Sequence, residues 1–205
     1  MMMQAIAGKQ AITAVILAGG RGSRLDGQDK GLVAFQEKPL IEHVLARLRP
    51  QVSTCLINAN RHLTQYQQYH YPVITDGNKD YLGPLAGMLS GLQHCKTEWL
   101  LSVPCDSPFL PLNLTDTFIQ AHNKHHHTAY VASIDNRIQP VFSLLHLSLI
   151  PKIQAFLQAK DYKVGYFMRQ QTAITVNFSE QKDCFININN IADIQFASKL
   201  ALAND

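Results

Sequence analysis

The chain has few of the residues that would place it outside the ordinary globular proteins. Charged residues make up 16% of its 205 residues, the formal net charge is only +3, and no run of Lys and Arg forms a basic stripe. We therefore expect no nucleic-acid partner, and the small cationic excess fits small anionic ligands better. No segment approaches the roughly 20 apolar residues that a membrane-spanning helix needs, so we also expect no membrane partner.

Cysteine is scarce and widely spaced. The four cysteines, Cys55, Cys95, Cys105 and Cys184, form no C-x-x-C pair. This spacing argues against a disulfide framework and against a zinc site, and it predicts reduced thiols. The first ten residues contain no basic stretch that leads into a long apolar one, so we expect no signal peptide and a cytoplasmic protein.

Apolar residues are abundant enough for a sizeable core, at 46% of the chain. No internal repeat or low-complexity linker divides the sequence, and apolar runs alternate with helical patterns along it. Such alternation is typical of repeated β-α units. We therefore predict an α/β fold with three α/β/α layers and a Rossmann-like, mostly parallel sheet. It forms a single domain over residues 12–205, preceded by an N-terminal extension over residues 1–11.

The hydrophobic periodicity gives the positions of individual elements. Predicted strands cover residues 13–18, 53–58, 73–75, 98–104, 129–133, 140–145 and 185–188. Predicted helices cover residues 39–50, 62–69, 83–92, 147–157 and 193–203, with one more after residue 112. Because ligands of such sheets bind beyond the carboxyl ends of the strands, we expect the functional residues there.

A glycine-rich loop, Gly19-Gly20-Arg21-Gly22-Ser23-Arg24, follows the first predicted strand. Glycine lets the backbone turn tightly and bring its N–H groups against an anion. Arg24 and the nearby Lys30 add positive charge, which suits a polyphosphate. The loop lacks the Gly-Lys-Ser/Thr of a P-loop, and it fails the dinucleotide fingerprint at its last glycine. A plain tight turn is the alternative.

A larger set of segments, in the same order along the chain, carries a resemblance to one family. The segments are Leu17-Ala18-Gly19-Gly20, Arg24, Asp29-Lys30-Gly31, Lys38-Pro39-Leu40, Asn58-Ala59-Asn60-Arg61, Gly83-Pro84-Leu85-Ala86-Gly87-Met88, Pro104-Cys105-Asp106-Ser107-Pro108 and Phe185-Ile186-Asn187-Ile188-Asn189. They resemble the molybdenum cofactor guanylyltransferases, which are nucleotidyltransferases with the nucleotide-diphospho-sugar transferase type of fold. One departure is Leu25-Asp26, where that family usually has Met-Gly.

The resemblance implies a reaction and a set of site residues. It implies transfer of GMP from Mg-GTP to the terminal phosphate of molybdopterin, with release of pyrophosphate. The N-terminal half would bind GTP and the C-terminal half the pterin. The residues expected to bind GTP are Leu17, Ala18, Gly19, Gly20, Lys30, Asn58, Asp76, Gly83 and Asp106. Lys30, Arg24 and Asp106 are the expected catalytic residues, and Asp106 would also bind Mg²⁺, the expected cofactor.

The residue types support several of these roles directly. Asp106 follows a predicted strand, where a carboxylate can hold Mg²⁺, although a turn aspartate before Pro108 is the alternative. Lys30 could neutralise the α-phosphate or only pair with Asp29 on the surface. Arg24 could hold the leaving pyrophosphate, since its planar fork binds two oxygens.

Four further residues have weaker assignments. Asn58 could bind base or ribose, because an amide both donates and accepts hydrogen bonds. Asp76 could touch the ribose, approach the metal through a water molecule, or only form a turn before Gly77. Asn187 and Asn189, two apart on a predicted strand, would face the same side, where the resemblance places the pterin.

Two other functions remain open from the sequence. One is cytidylyl transfer to molybdopterin or to a sugar-alcohol phosphate, since the phosphate loop does not read the base. The other is a catalytically idle module that binds the nucleotide and delivers the cofactor. The expected partners are GTP and molybdopterin as substrates, with transient contacts to molybdopterin-loading enzymes and acceptor molybdoenzymes, and the chain is expected to be a monomer or weak oligomer.

One cluster of histidines and one cysteine receive plain structural interpretations. The histidines at 122, 125, 126 and 127 are expected in a solvated loop or helix end. Cys105 is expected to be a buried free thiol, because direct in-line transfer needs no covalent intermediate.

Overall fold

A computed structural model of the chain describes residues 5–19, 29–77 and 83–204, and one seven-stranded sheet forms the centre of this described part. Its strands, in chain order, are β1 (Ile12–Leu17), β4 (Thr54–Asn58), β5 (Val73–Ile74), β6 (Trp99–Pro104), β7 (Ala129–Ile134), β8 (Arg137–His146) and β9 (Ile174–Asn177). A short hairpin, β2 (Ala34–Phe35) with β3 (Lys38–Pro39), lies outside this sheet.

Helices connect most of the strands. They are α1 (Leu40–Leu48), α2 (Leu63–Gln67), α3 (Pro84–His94), α4 (Leu114–His125), α5 (Ile150–Gln158), α6 (Val164–Gln170) and α7 (Ile191–Asn204). Proline stands where the first turn needs no N–H donor, as at Pro84 of α3. Among the helices of the described ranges, none has both the length and the apolar character to cross a membrane.

The sheet is mostly parallel, as the sequence predicts. The strand order is β5-β4-β1-β6-β8-β7-β9, and β8 runs antiparallel to both of its neighbours. The other pairings described within this seven-stranded sheet are parallel. The reversal at β8 has a local cause, because Asp135 and Asn136, both with positive φ, form a two-residue turn from β7.

Helices cover both faces of the sheet and bury alternate side chains of each strand. In β1, Ile12, Ala14 and Ile16 pack on the face covered by α1 and α4, and Val15 packs on the opposite face against α3. This period-two alternation between two buried faces is what a central parallel strand requires. The three-layer prediction is confirmed.

One predicted strand is wrong. Residues 179–185 form 3₁₀ turns, and residues 186–189 form no helix and pair with no strand of the described sheet. The apolar side chains whose spacing suggested a strand instead anchor this segment to the core. Phe185 packs against Phe142 at 4.6 Å between ring centroids, and Ile188 is fully buried with Val33. The strand that pairs with β7 at this end of the sheet is β9. Neither β9 nor α6 was predicted from the sequence.

The segment before β1 also packs onto the body of the protein. Ile6 is buried in the main core, and Lys9 pairs with Asp116 of α4 at 3.2 Å. The boundary between an extension over residues 1–11 and a domain over residues 12–205 remains a prediction.

Candidate active site

A cavity of about 360 Å³ opens at the carboxyl ends of β1, β4 and β6, beside the first turn of α3. This is the location expected for a ligand of an open α/β sheet. The residues that line it are Leu17, Ala18, Gly19, Lys30, Asn58, Asp76, Gly83, Pro84, Pro104, Cys105, Asp106, Val141 and Asn187. Most of the residues proposed from the sequence therefore surround one cavity.

Backbone hydrogen bonds continue the sheet into the cavity floor. The Ala18 N–H donates to the Asn58 carbonyl at 2.8 Å, and the Cys105 N–H donates to the Leu17 carbonyl at 3.2 Å. These bonds keep the segments after β1, β4 and β6 side by side. At Gly19 a Cβ would lie 3.0 Å from the amide nitrogen of Asn60, so glycine allows the backbone to run against this wall.

Lys30 reaches the cavity from a short 3₁₀ turn over Lys30–Leu32. Its ammonium donates to Asp106 Oδ2 at 3.0 Å and also to Asn189 Oδ1. The Lys30 side chain is 29% exposed, whereas that of Asp106 is 8% exposed. This ion pair faces the ligand cavity, so it differs from the surface pair with Asp29 that the sequence left open.

The Asp106 carboxylate fits a divalent cation. Oδ2 accepts from Lys30, but the buried Oδ1 has no hydrogen-bond donor among the described residues. A buried carboxylate oxygen without a partner costs free energy, and a hard cation such as Mg²⁺ is one partner that removes this cost. The described residues contain no group of three or more His, Cys, Asp or Glu that could enclose a metal. A cation here would be held by one carboxylate, with waters and substrate oxygens.

Asp76 is held by two amides. Asn58 donates to its Oδ1 at 2.9 Å and Asn60 donates to its Oδ2 at 2.7 Å, while the Asp76 N–H donates to Asn60 Oδ1 at 2.9 Å. Both carboxylate oxygens therefore have donors from the protein. Asn60, for which the sequence predicts no role of its own, is the partner that orients Asp76. Its spacing of two from Asn58 was the available signal.

Gly83 lies at the entrance to α3, with φ of 79°. Only glycine adopts this conformation without strain, so the chain can turn sharply into the helix. Gly83 and Pro84 both line the cavity, so the amino-terminal end of α3 lies beside it, and the helix dipole there favours a negative ligand.

Asn187 lies at this cavity and Asn189 lies next to Lys30, but neither is on a strand. Asn187 lines the cavity and its Oδ1 accepts a hydrogen bond from the Ser107 hydroxyl. Asn189 contacts Lys30, and its own N–H donates to Asp193 at 2.7 Å. The prediction that both face one side of a strand is wrong, because residues 186–189 belong to no strand of the described sheet. The Ile188 N–H links this segment to the loop after β6 by donating to the Asp106 carbonyl at 2.8 Å.

Two predicted site residues, Gly20 and Arg24, lie outside the described residues.

Cys105 lines the cavity, but its thiol is buried, and burial raises its pKa well above the ordinary value. This thiol is therefore not activated as a nucleophile.

One of the four clustered histidines departs from the prediction of a solvated loop. His122 is fully buried, with its ring 4.6 Å from that of Trp99 and its Nδ1 3.1 Å from the Tyr130 hydroxyl. His125 and His126 are exposed and His127 is partly exposed. His122 follows Phe118 by four residues in α4 and so lies on the same inward face, which the polar composition of the segment concealed.

The chain is similar to proteins of one family along most of its length. Residues 14–174 match the family described as the MobA-like NTP transferase domain. The molybdenum cofactor guanylyltransferase of Histophilus somni (strain 2336) is 45% identical over 184 residues, which cover 90% of this chain and 94% of that protein. The molybdenum cofactor guanylyltransferase of Vibrio parahaemolyticus is 43% identical over 175 residues, covering 85% and 89%.

Solved structures share the fold at lower identity. Molybdopterin-guanine dinucleotide biosynthesis protein A from Archaeoglobus fulgidus has a TM-score of 0.76 and 20% identity, covering 93% of this chain and 99% of that one. The 4-diphosphocytidyl-2C-methyl-D-erythritol synthase from Anaerococcus prevotii has a TM-score of 0.71 and 14% identity, covering 95% and 97%. At these identities the likeness concerns the fold alone, and the fold does not distinguish one base from another.

Proposed function

The chain belongs to the molybdenum cofactor guanylyltransferases of the MobA-like NTP transferase domain family, and from this premise we propose that it transfers GMP from GTP to the terminal phosphate of molybdopterin. One structural observation carries the proposal. Lys30 and the buried Asp106 pair at 3.0 Å in the cavity at the strand ends, and one oxygen of Asp106 has no donor in the described part of the chain.

The reaction is an in-line displacement at the α-phosphorus of GTP. An oxygen of the acceptor phosphate forms a bond to that phosphorus, the bond to the bridging oxygen of the β-phosphate breaks, and pyrophosphate leaves with the electron pair. No covalent enzyme intermediate is required, which agrees with the unactivated Cys105. Positioning and charge neutralisation then account for most of the catalysis.

Lys30 supplies positive charge at the reacting phosphate. Its ammonium has three N–H donors, and two of them have acceptors among the described residues, Asp106 and Asn189. A third donor can therefore reach an α-phosphate oxygen while the two existing bonds fix the ammonium. Because the two bonds are in place before substrate binds, little reorganisation accompanies the reaction.

Asp106 would hold Mg²⁺ through Oδ1. The ion would supply charge neutralisation to the triphosphate, as such ions do when carboxylate and phosphate oxygens share them. The Lys30 ammonium beside Oδ2 keeps the second oxygen in place. Arg24, predicted to hold the leaving pyrophosphate, and Gly20, predicted in the phosphate loop, remain part of this proposal.

The remaining cavity residues divide between nucleotide and acceptor. The backbone at Ala18 and Gly19, the amide of Asn58 and the helix entrance at Gly83 would bind GTP. Asp76 supports this side by orienting Asn58, since their bond measures 2.9 Å. Asn187 and Asn189 would bind on the acceptor side, and their contacts with Ser107 and Lys30 support this by joining that side to the reacting centre.

The site and the relatives argue against both alternatives, cytidylyl transfer and a catalytically idle carrier module. Cytidylyl transfer is not favoured, because the curated relatives at 45% and 43% identity carry the guanylyl name. An idle carrier module would not need a cation-ready carboxylate beside a lysine. Transient contacts with the enzymes that supply molybdopterin and use the product remain proposals, supported by the need to pass a cofactor on.

Turnover tests the proposal directly. With molybdopterin, GTP and Mg²⁺, the protein should release pyrophosphate and form a product with the mass of the guanine dinucleotide, and EDTA should stop both. Lys30→Met should remove this activity, whereas Lys152→Met, at an exposed lysine of α5, should keep it. Absence of the dinucleotide, or equal turnover by the two variants, would contradict the proposal.

A further inference from the structure

A buried pair of residues lies directly behind Lys30 and takes no part in the roles described so far. Asp29 is 4% exposed and Tyr66 is fully buried. The Tyr66 hydroxyl donates to Asp29 Oδ1 at 2.5 Å, and the same oxygen accepts from the Gly31 N–H at 3.3 Å. Asp29 thus caps the 3₁₀ turn that carries Lys30, and Tyr66 fixes the cap from α2.

Side chains of two other segments pack closely against this turn. Gly31 is buried, and a Cβ on it would lie 2.6 Å from the Tyr66 hydroxyl oxygen and 3.4 Å from Cys105 Cβ. The turn is therefore enclosed between α2 on one side and the residue preceding Asp106 on the other. A shift of the turn would change the distance between the Lys30 ammonium and the Asp106 carboxylate.

The pair also connects two parts of the site. Tyr66 lies in α2, which follows the segment that carries Asn58 and Asn60. Asp29 directly precedes Lys30. One hydrogen bond therefore joins the side that would bind the nucleoside to the side that would bind the α-phosphate. Burial raises the pKa of Asp29, and the Tyr66 hydrogen bond opposes that rise by stabilising the carboxylate.

We propose that Asp29 and Tyr66 are positioning residues for the transfer reaction, which hold the Lys30 ammonium at the α-phosphate. This inference rests on the proposed function of the site. It assigns no contact between either residue and substrate. Asp29 Oδ2 has no donor among the described residues, so loss of the Tyr66 hydroxyl leaves the buried carboxylate with the Gly31 N–H alone at Oδ1. The turn then relaxes away from its position, because the carboxylate has lost the donor that fixes it to α2.

Kinetics should separate positioning from binding. Tyr66→Phe should lower kcat about tenfold while KM for GTP changes less than about twofold, since misplacement of a catalytic group mainly affects the chemical step. Asp29→Ala should lower kcat further. Asp29→Asn should recover most of the loss, because its amide oxygen can still accept from Tyr66 and Gly31.

Tyr130→Phe is the matched control for loss of a buried tyrosine hydroxyl. Tyr130 is fully buried in β7, and its hydroxyl accepts from the His127 N–H at 2.6 Å, near the amino end of that strand. This variant should unfold more easily and keep the wild-type kcat. Wild-type kcat in Tyr66→Phe, or an equal loss in Tyr130→Phe, would overturn the assignment.

Amide hydrogen exchange keeps this test separate from the proposed function, because it needs no substrate. In Tyr66→Phe and Asp29→Ala the amides of residues 30–32 should exchange faster than in the wild type, and in Tyr130→Phe they should not. A wild-type protein that forms no dinucleotide would refute the proposed function alone. Unchanged exchange at residues 30–32 in Tyr66→Phe would refute the positioning role alone.

Discussion

Asp106 combines two environments in one carboxylate. Oδ2 is neutralised by the Lys30 ammonium at 3.0 Å, and Oδ1 is buried without a donor among the residues that the structure describes. A carboxylate that is only half satisfied is an expensive feature to keep in a protein interior unless a ligand completes it. The triphosphate with its cation is the ligand that the proposed function supplies.

Asp106→Asn tests this account at the residue scale. The amide has nearly the same size and can still accept from Lys30, but it lacks the charge that binds a hard cation. We expect turnover with GTP and Mg²⁺ to fall by about 100-fold or more, as when one strong electrostatic contact to a transition state is lost.

The control is Asp116→Asn, at an aspartate on α4 that pairs with Lys9 on the surface at 3.2 Å. A surface pair contributes little to stability, so this variant should retain wild-type turnover and metal dependence. If Asp106→Asn gave the same magnesium titration curve as Asp116→Asn, the cation site would be wrongly placed.

The location of certain residues at strand ends was predictable from the sequence. Contacts between segments distant in sequence were not. Asn58 and Asp106 follow apolar runs, so their position at the sheet edge follows from the pattern alone. The contact between Lys30 and Asn189 joins residues 159 positions apart, and no periodicity reports it. The same is true of the bond from Ser107 to Asn187.

At the element scale, α3 brings its backbone unusually close to the floor of the site. A Cβ at Gly87 would lie 2.4 Å from Asn58 Oδ1 and 2.8 Å from the Leu17 side chain. One turn later, a Cβ at Gly91 would lie 2.9 Å from the Leu100 side chain, in the core. Glycine within a helix costs about 1 kcal/mol relative to alanine, so these positions reflect close packing of helix and sheet.

The two glycines give a matched pair of variants. Gly87→Ala should displace the Asn58 amide and raise KM for GTP about tenfold or more. Gly91→Ala should lower the free energy of unfolding by about 1–3 kcal/mol through overpacking, with KM changed less than about twofold. Steady-state kinetics and urea unfolding measure the two effects. A larger rise in KM for Gly91→Ala than for Gly87→Ala would contradict the placement of Asn58 in the nucleotide site.

Among the elements, those with a clear apolar period were predicted and those with mixed composition were not. The helix α3 follows from the spacing of Leu85, Met88 and Leu92, all of which are buried. The segment around Phe185 is also apolar, but Phe185 packs against Phe142, Ile188 packs with Val33, and the backbone does not join the described sheet. Hydrophobicity reports burial, and it does not report which backbone partner is available.

At the scale of the whole molecule, the two ends of the sheet differ in structure. The carboxyl end carries the cavity, and the opposite end is closed by an aromatic cluster around Trp99. The ring of His146 lies 4.9 Å from that of Trp99, and its Nδ1 accepts from the Ser148 N–H at 3.2 Å. Burial of the ring lowers the pKa of His146, and nearby His122 lowers it as well, against the opposing effect of Glu98.

The lowered pKa of His146 gives a pH dependence of stability. The unfolded state, with an ordinary histidine pKa of about 6.5, binds a proton more readily than the folded state. Stability contributed by neutral His146 is therefore present above about pH 6.5 and is lost as the pH falls below it. Between pH 7.5 and pH 5.5 the urea midpoint of the wild type should fall more than that of His146→Gln.

His125→Gln is the control for this comparison, because His125 is exposed at the end of α4. It should show the same midpoint change as the wild type. A midpoint in His146→Gln that falls as steeply as in the wild type would show that His146 does not control this part of the pH dependence.

The layered architecture was predictable as a whole, since alternating strands and helices leave few topologies. The reversed strand β8 was not predicted, although its hairpin turn at Asp135 and Asn136 is a recognisable signal. The identity of the base was beyond the fold, because a cytidylyl enzyme has the same architecture with a TM-score of 0.71.

Competition among nucleotides tests the central claim most directly. The protein is incubated with molybdopterin, Mg²⁺ and equal concentrations of GTP, CTP, ATP and UTP, and the dinucleotide products are separated by mass. Guanylyl transfer predicts the guanine dinucleotide as the dominant product, with one pyrophosphate released for each molecule formed. A dominant cytosine dinucleotide, or pyrophosphate release without any dinucleotide, would contradict it.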